Sequence, residues 1–120
     1  MATRIVVLDA EPVVRSVVSD ILERGGYAVQ AIETLQDAIG IVKDMPPDLL
    51  ITNVNLPGVS GMDAMKLLKG ICPDLRVLMV SGLPEQAVID EFFGRDGFET
   101  FPKPFRAEEL LDKVRTMISR

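Results

Sequence analysis

A chain of 120 residues, 48% apolar and 26% charged, sits in the usual range of about 100–150 residues for one compact domain, so a single domain over 1–120 is expected. Its 13 basic and 18 acidic residues give a net charge of −5 with no Lys/Arg block, which argues against direct nucleic-acid binding, because neutralising phosphates needs clustered cations. Apolar runs such as IVVL at 5–8 and VLMV at 77–80 stop at four residues, far short of the ~20 that a membrane span needs.

The first strand is expected at RIVVL (4–8), a β-branched run. Val13, Val14, Val17, Val18, Ile21 and Leu22 then recur at helical spacing, up to Gly25-Gly26. YAVQAI (27–32) reads as a second strand. Thr34 with Asp37 three residues on resembles a capping box and opens a helix to about Met45, which Pro46-Pro47 stops. DLLITN (48–53) is the third strand. Ser60 with Asp63 repeats the cap signal before Met62, Met65, Leu67, Leu68 and Ile71, and Pro73 ends that helix. RVLMVS (76–81) is the fourth strand, and a fourth helix is expected from Pro84 through Val88, Ile89, Phe92 and Phe93. A short fifth strand falls near Thr100–Phe101. The chain closes with AEELLDKVRTMISR, which carries Leu110, Leu111, Val114, Met117 and Ile118 on one face and basic residues near its end, as the helix dipole favours.

Five strand–helix units without a linker or repeat imply an α/β fold, a doubly wound parallel sheet covered on both faces by right-handed crossovers. Such sheets bind ligands beyond the carboxyl ends of their strands. Those ends are Asp9 and Glu11, Ile32-Glu33, Asn53, Ser81 and Lys103. An acid, an amide, a hydroxyl and an ammonium converging there have the composition of a phosphoryl or Mg²⁺ site. With a lone Cys72 and no His, no internal disulfide or thiolate–imidazole metal site is expected, so any bound cation is a hard one held by oxygen. The N-terminus carries no apolar run of signal-peptide length, which leads to an expected cytoplasmic location.

VVLDAEP, DLLITNVNLPGVSG, VLMVSG and FPKPF, in this order over the whole chain, resemble the receiver domain of two-component response regulators. The resemblance implies a five-stranded sheet of order 2-1-3-4-5 in a flavodoxin-like α/β/α sandwich. It also implies an aspartate at the end of strand 3 that takes phosphate from a histidine kinase or phosphotransfer protein, and a readout surface on helix 4, strand 5 and helix 5. Asp9, Asn55, Ser81 and Lys103 match the family's site, Asn55 through a backbone carbonyl that helps hold the metal. Lys103–Pro104 is then expected to be cis, against a base rate of ~5–6%.

The chemistry departs from the family at three positions. Asn53 stands at the phosphoacceptor, and a neutral carboxamide offers no anionic oxygen to a phosphoryl group. Ala10 replaces the second acid of the acidic pair, so no cofactor is expected beyond weak Mg²⁺ held by Asp9 and Asn55, with Glu11 turned elsewhere. Thr100 stands where the family keeps the Tyr or Phe whose rotation reports phosphorylation. The expectation is a pseudo-receiver, not an enzyme, that acts by binding a partner protein or itself.

Simpler roles exist for these residues. Asp9 suits a cap of the turn after strand 1, and Ser81 before Gly82 suits a plain turn. The Met residues 62, 65 and 79 suit core filling. Thr52 alternates away from Asn53 and is a poor substitute acceptor. Asn53 is also what an engineered Asp→Asn change in a conventional receiver leaves, although Ala10 would then be superfluous. The opening strand and its acid resemble small haloacid-dehalogenase-type phosphatases with Asp9 as nucleophile. Those need a cap and a late acidic cluster, whereas Ser81-Gly82-Leu83-Pro84 follows strand 4. A flavodoxin-type flavin site is disfavoured because Asp9-Ala10-Glu11-Pro12 repels phosphate. Adjacent Phe92-Phe93 on one helix hint at an interface.

Overall fold

The computed structural model describes residues 2–53, 61–81, 98–102 and 105–119. Strands β1 (Arg4–Leu8), β2 (Ala28–Ile32), β3 (Leu49–Thr52), β4 (Val77–Ser81) and β5 (Phe98–Pro102) alternate with helices α1 (Pro12–Arg24), α2 (Leu35–Asp44), α3 (Gly61–Ile71) and a C-terminal helix (Ala107–Ile118). The expected fourth helix, the Ser60 cap and the Lys103–Pro104 bond lie outside the described residues. All strand pairings are parallel and the order is β2-β1-β3-β4-β5, the doubly wound α/β fold expected from the sequence.

The apolar runs of the inner strands are continuous because both faces of the sheet are covered. Val6, Leu8, Leu50, Val77 and Met79 pack with Ala38 and Val42 of α2 and Met65 and Leu68 of α3. Ile5, Val7, Leu49, Ile51, Leu78 and Val80 pack on the other face with Val18 and Leu22 of α1 and Leu110, Val114 and Met117 of the C-terminal helix. Met65, Met79 and Met117 are buried core. The six apolar residues of α1 do not form one buried face. Val18 and Leu22 are buried, Val14 and Ile21 pack partly, and Val13 and Val17 are 74% and 50% exposed. A step of one residue turns the helix by about 100°, so the first member of each adjacent pair swings away from the sheet. Leu67 of α3 is exposed for the same reason.

Local signals fix the helix ends. Thr34 has extended backbone and its Oγ1 accepts from the Asp37 N–H at 3.1 Å. Thr34→Ala is expected to lower unfolding free energy by about 1 kcal/mol in urea titration, the usual worth of such a cap. Glu109 reaches back to accept from the Arg106 N–H at 2.9 Å and closes the start of the C-terminal helix. Gly26 has φ 93°, a left-handed conformation that only glycine adopts without strain, and it turns the chain from α1 into β2. Gly25 beside it lies so near Leu111 of the C-terminal helix that an added Cβ would stand 2.6 Å from its Cδ2. Arg4 closes the opposite end of the sheet, its N–H donating to Asp48 Oδ2 at 2.7 Å and its guanidinium to the carbonyls of Met45 and Pro46. Among the described residues no helix is long and apolar enough to cross a membrane.

Candidate functional site

Register places the key residues. Leu8 pairs with Thr52, so Asp9 and Asn53, the next residue of each strand, stand side by side at the carboxyl crest. The Asn53 N–H donates to the Leu8 carbonyl at 3.2 Å and the Asp9 N–H to the Ile32 carbonyl at 3.1 Å. Both side chains lie below the surface, with Asp9 4% and Asn53 8% exposed. A polar residue is buried here because the strand ends and the first turn of α1 enclose it, and such burial requires partners.

Asp9 has one partner in the turn itself, since its Oδ1 accepts from the Glu11 N–H at 2.9 Å. Glu11 is the N-cap residue of α1 and makes no side-chain cap bond, while Pro12 opens the helix. The Asp9 carboxylate therefore braces the entry to α1 and sits where the positive end of the helix dipole favours an anion. Ala10 is half-buried and Glu11 exposed. Thr52 is buried, and its hydroxyl donates to the Asn53 carbonyl at 3.1 Å.

Arg15, which the sequence did not single out, belongs to this corner. Its guanidinium donates to the Asp9 carbonyl at 2.8 Å and stands 3.8 Å from Glu33. The ion pair adds little, because the Glu33 side chain is 64% exposed. The hydrogen bond ties the turn after β1 to the second turn of the helix. The sequence carries no direct sign of it, because the acceptor is a backbone carbonyl.

Ser81 ends β4 opposite Pro102, with its side chain outside the described residues, as are Asn55 and Lys103. Thr100 is half-buried in β5 beside Met79, two pairs below that level. Phe101 packs on the C-terminal-helix face of the sheet, so alternation turns Thr100 to the α3 face. On the Phe101 face, Glu99 pairs with Lys113, and Phe101 stacks at a tilt on Phe105 with ring centres 5.6 Å apart.

The described part of the crest thus holds one buried carboxylate, one buried carboxamide and a guanidinium behind them. No group of three His, Cys, Asp or Glu side chains suited to a metal ion occurs among the described residues. A hard divalent cation draws several anionic oxygens around itself, and Asp9 is the one buried carboxylate of the described crest.

Comparison with known proteins puts this geometry in context. Residues 5–115 match the family model described as the response regulator receiver domain. The chain is 28% identical over 120 residues to the chemotaxis protein CheY of Bacillus subtilis, covering 99% of this chain and 100% of that protein. It is 30% identical over 122 residues to the response regulator MprA of Mycobacterium tuberculosis, where it spans all of this chain and 52% of the relative. Among solved structures, a response regulator receiver domain protein from Clostridium thermocellum superposes with a TM-score of 0.86 at 25% identity, covering 98% and 95% of the two chains.

Proposed function

The chain belongs to the response regulator receiver family of two-component signalling, and from that premise we propose that it is a pseudo-receiver, one domain over 1–120 that takes up no phosphate and acts by binding another protein. The observation that carries this reading is the buried Asn53 carboxamide beside Asp9 at the crest. Phosphoryl transfer needs an anionic oxygen at that place, and an amide has none to give.

Receiver domains in general bind Mg²⁺ at the acceptor site, and the residues present here fit it poorly. Ala10 contributes no oxygen, and one oxygen of Asp9 is already engaged by the turn. Ser81 and Lys103 keep the family's phosphate-contact positions in the sequence without a phosphate to contact. Thr100 in place of a large ring removes the moving part, and the docking face proposed is the one expected from the sequence, of which β5 and the C-terminal helix lie among the described residues.

Receiver domains interact with histidine kinases, phosphotransfer proteins or effector domains, and the partner assigned to this face is a protein of that kind. The test is NMR of the chain titrated with beryllofluoride and Mg²⁺, a stable mimic of the phosphoryl group. Unchanged resonances at residues 8–11, 52–53 and 98–102 are expected. Saturating shifts confined to the crest would overturn the reading.

A further inference from the structure

β2 is the last strand of the sheet and, among the described residues, pairs only with β1. The Ala28 N–H donates to the Thr3 carbonyl at 2.9 Å and the Ile32 carbonyl accepts from the Asp9 N–H at 3.1 Å. In a parallel strand alternate residues bond to a given neighbour. Ala28, Gln30 and Ile32 therefore turn their backbone groups to β1, and Val29 and Ala31 turn theirs away from the sheet. Neighbouring helices leave the strand open on both faces, for Ala28, Gln30 and Ala31 are exposed and Val29 is half-buried. Natural sheets blunt such an edge with a lysine, a proline or a bulge. Ala28–Ile32, with sequence AVQAI, has no charge and no proline.

We propose that β2 is a self-association edge, at which two copies of this chain join antiparallel across a two-fold axis through Gln30. In that register Val29 of one copy lies opposite Ala31 of the other, and each such pair exchanges both of its N–H···O bonds, four bonds in all. Gln30 faces Gln30 at the axis, and Glu33 falls opposite Tyr27, so no like charges oppose along the strands. The same rotation sets the Arg15–Glu33 pair of one copy toward the Asp20–Arg24 pair of the other, so both ends meet mixed charge. It also brings the two α1 helices together near their middles, where the half-exposed Val17 borders a groove shared with Ala31, Pro12 and Ser16. An extended peptide could use the same backbone groups, but the two-fold register matches each outward group of an uncharged strand with a partner on the strand's symmetry mate, which favours a second copy. This edge lies across the sheet from β5 and does not depend on the state of the crest.

Sedimentation velocity from about 10 µM to 1 mM spans the affinities expected of so short a pairing, and the weight-average mass is expected to climb toward that of a dimer. Gln30→Lys and Gln30→Glu each place like charges directly opposite in the close pair at the axis, and each is expected to weaken association by tenfold or more. An equal mixture of the two variants is expected to restore it as a heterodimer. Because Gln30 is exposed, both variants should fold, and unchanged circular dichroism verifies that. A chain that stays monomeric over the whole range, whether or not its edge takes up a peptide, overturns the proposal. So does a dimer indifferent to both substitutions, or a mixture that fails to recover.

Discussion

Ala10→Asp and Asn53→Asp together are expected to convert the crest into a phosphoryl acceptor. A carboxylate at position 53 attacks the phosphorus of acetyl phosphate, the bond from phosphorus to the acetyl oxygen breaks, and acetate leaves with its electron pair. Intact mass spectrometry should then show one added phosphoryl group that requires Mg²⁺. Each carboxylate within about 4 Å of a divalent cation adds several kcal/mol of attraction at an effective dielectric near 20, so Mg²⁺ affinity should rise by at least about tenfold. The substituted chain should also be less stable without metal, since three carboxylates would crowd buried strand ends. Mg²⁺ at ten times its dissociation constant should return about 1.4 kcal/mol. Thermal melts with and without Mg²⁺ measure this, and the unsubstituted chain should show little response. Asn53→Asp alone is expected to react more slowly, because residue 10 still withholds a metal ligand. Equal rates for the single and double variants would contradict the role given to Ala10.

Leu50→Ala carries the largest expected loss of stability. Leu50 lies in the central strand β3, with no measurable exposure, among Leu8, Met65, Leu68 and Met79. Its removal leaves a cavity walled by two strands and a helix that cannot close around it. The expected cost is about 3–5 kcal/mol, or roughly 10–20 °C in Tm for a chain of this size. Val13→Ala, on the exposed side of α1, should change Tm by little, since almost no contact is lost. Chemical denaturation of both variants tests the division of α1 and the sheet into buried and exposed parts.

That division was only partly legible in the sequence. The strands announced themselves because both faces of an inner parallel strand are buried, and runs such as IVVL and VLMV have no other economical use. The Thr34 cap was legible because it is a contact between residues three apart. Val13 and Val17 were misread because adjacent apolar pairs on a helix do not tell which member meets the sheet. That depends on how α1 sits over β1 and β2, which is a property of the tertiary packing. Asp9 and Asn53 could be placed at strand ends, yet their side-by-side position follows from the register of β1 with β3. Arg15 was missed because its partner is a backbone carbonyl, which has no signature in the sequence. The open edge at β2 was hidden for a similar reason. AVQAI reads like any strand until the strand order sets it at the margin of the sheet.

The central claim is that an amide at position 53 silences this receiver, and intact mass spectrometry of the unsubstituted chain after incubation with acetyl phosphate and Mg²⁺ tests it most directly. The expected spectrum is that of the unmodified protein. A phosphoryl adduct mapped by peptide sequencing to the crest of the sheet would contradict the claim.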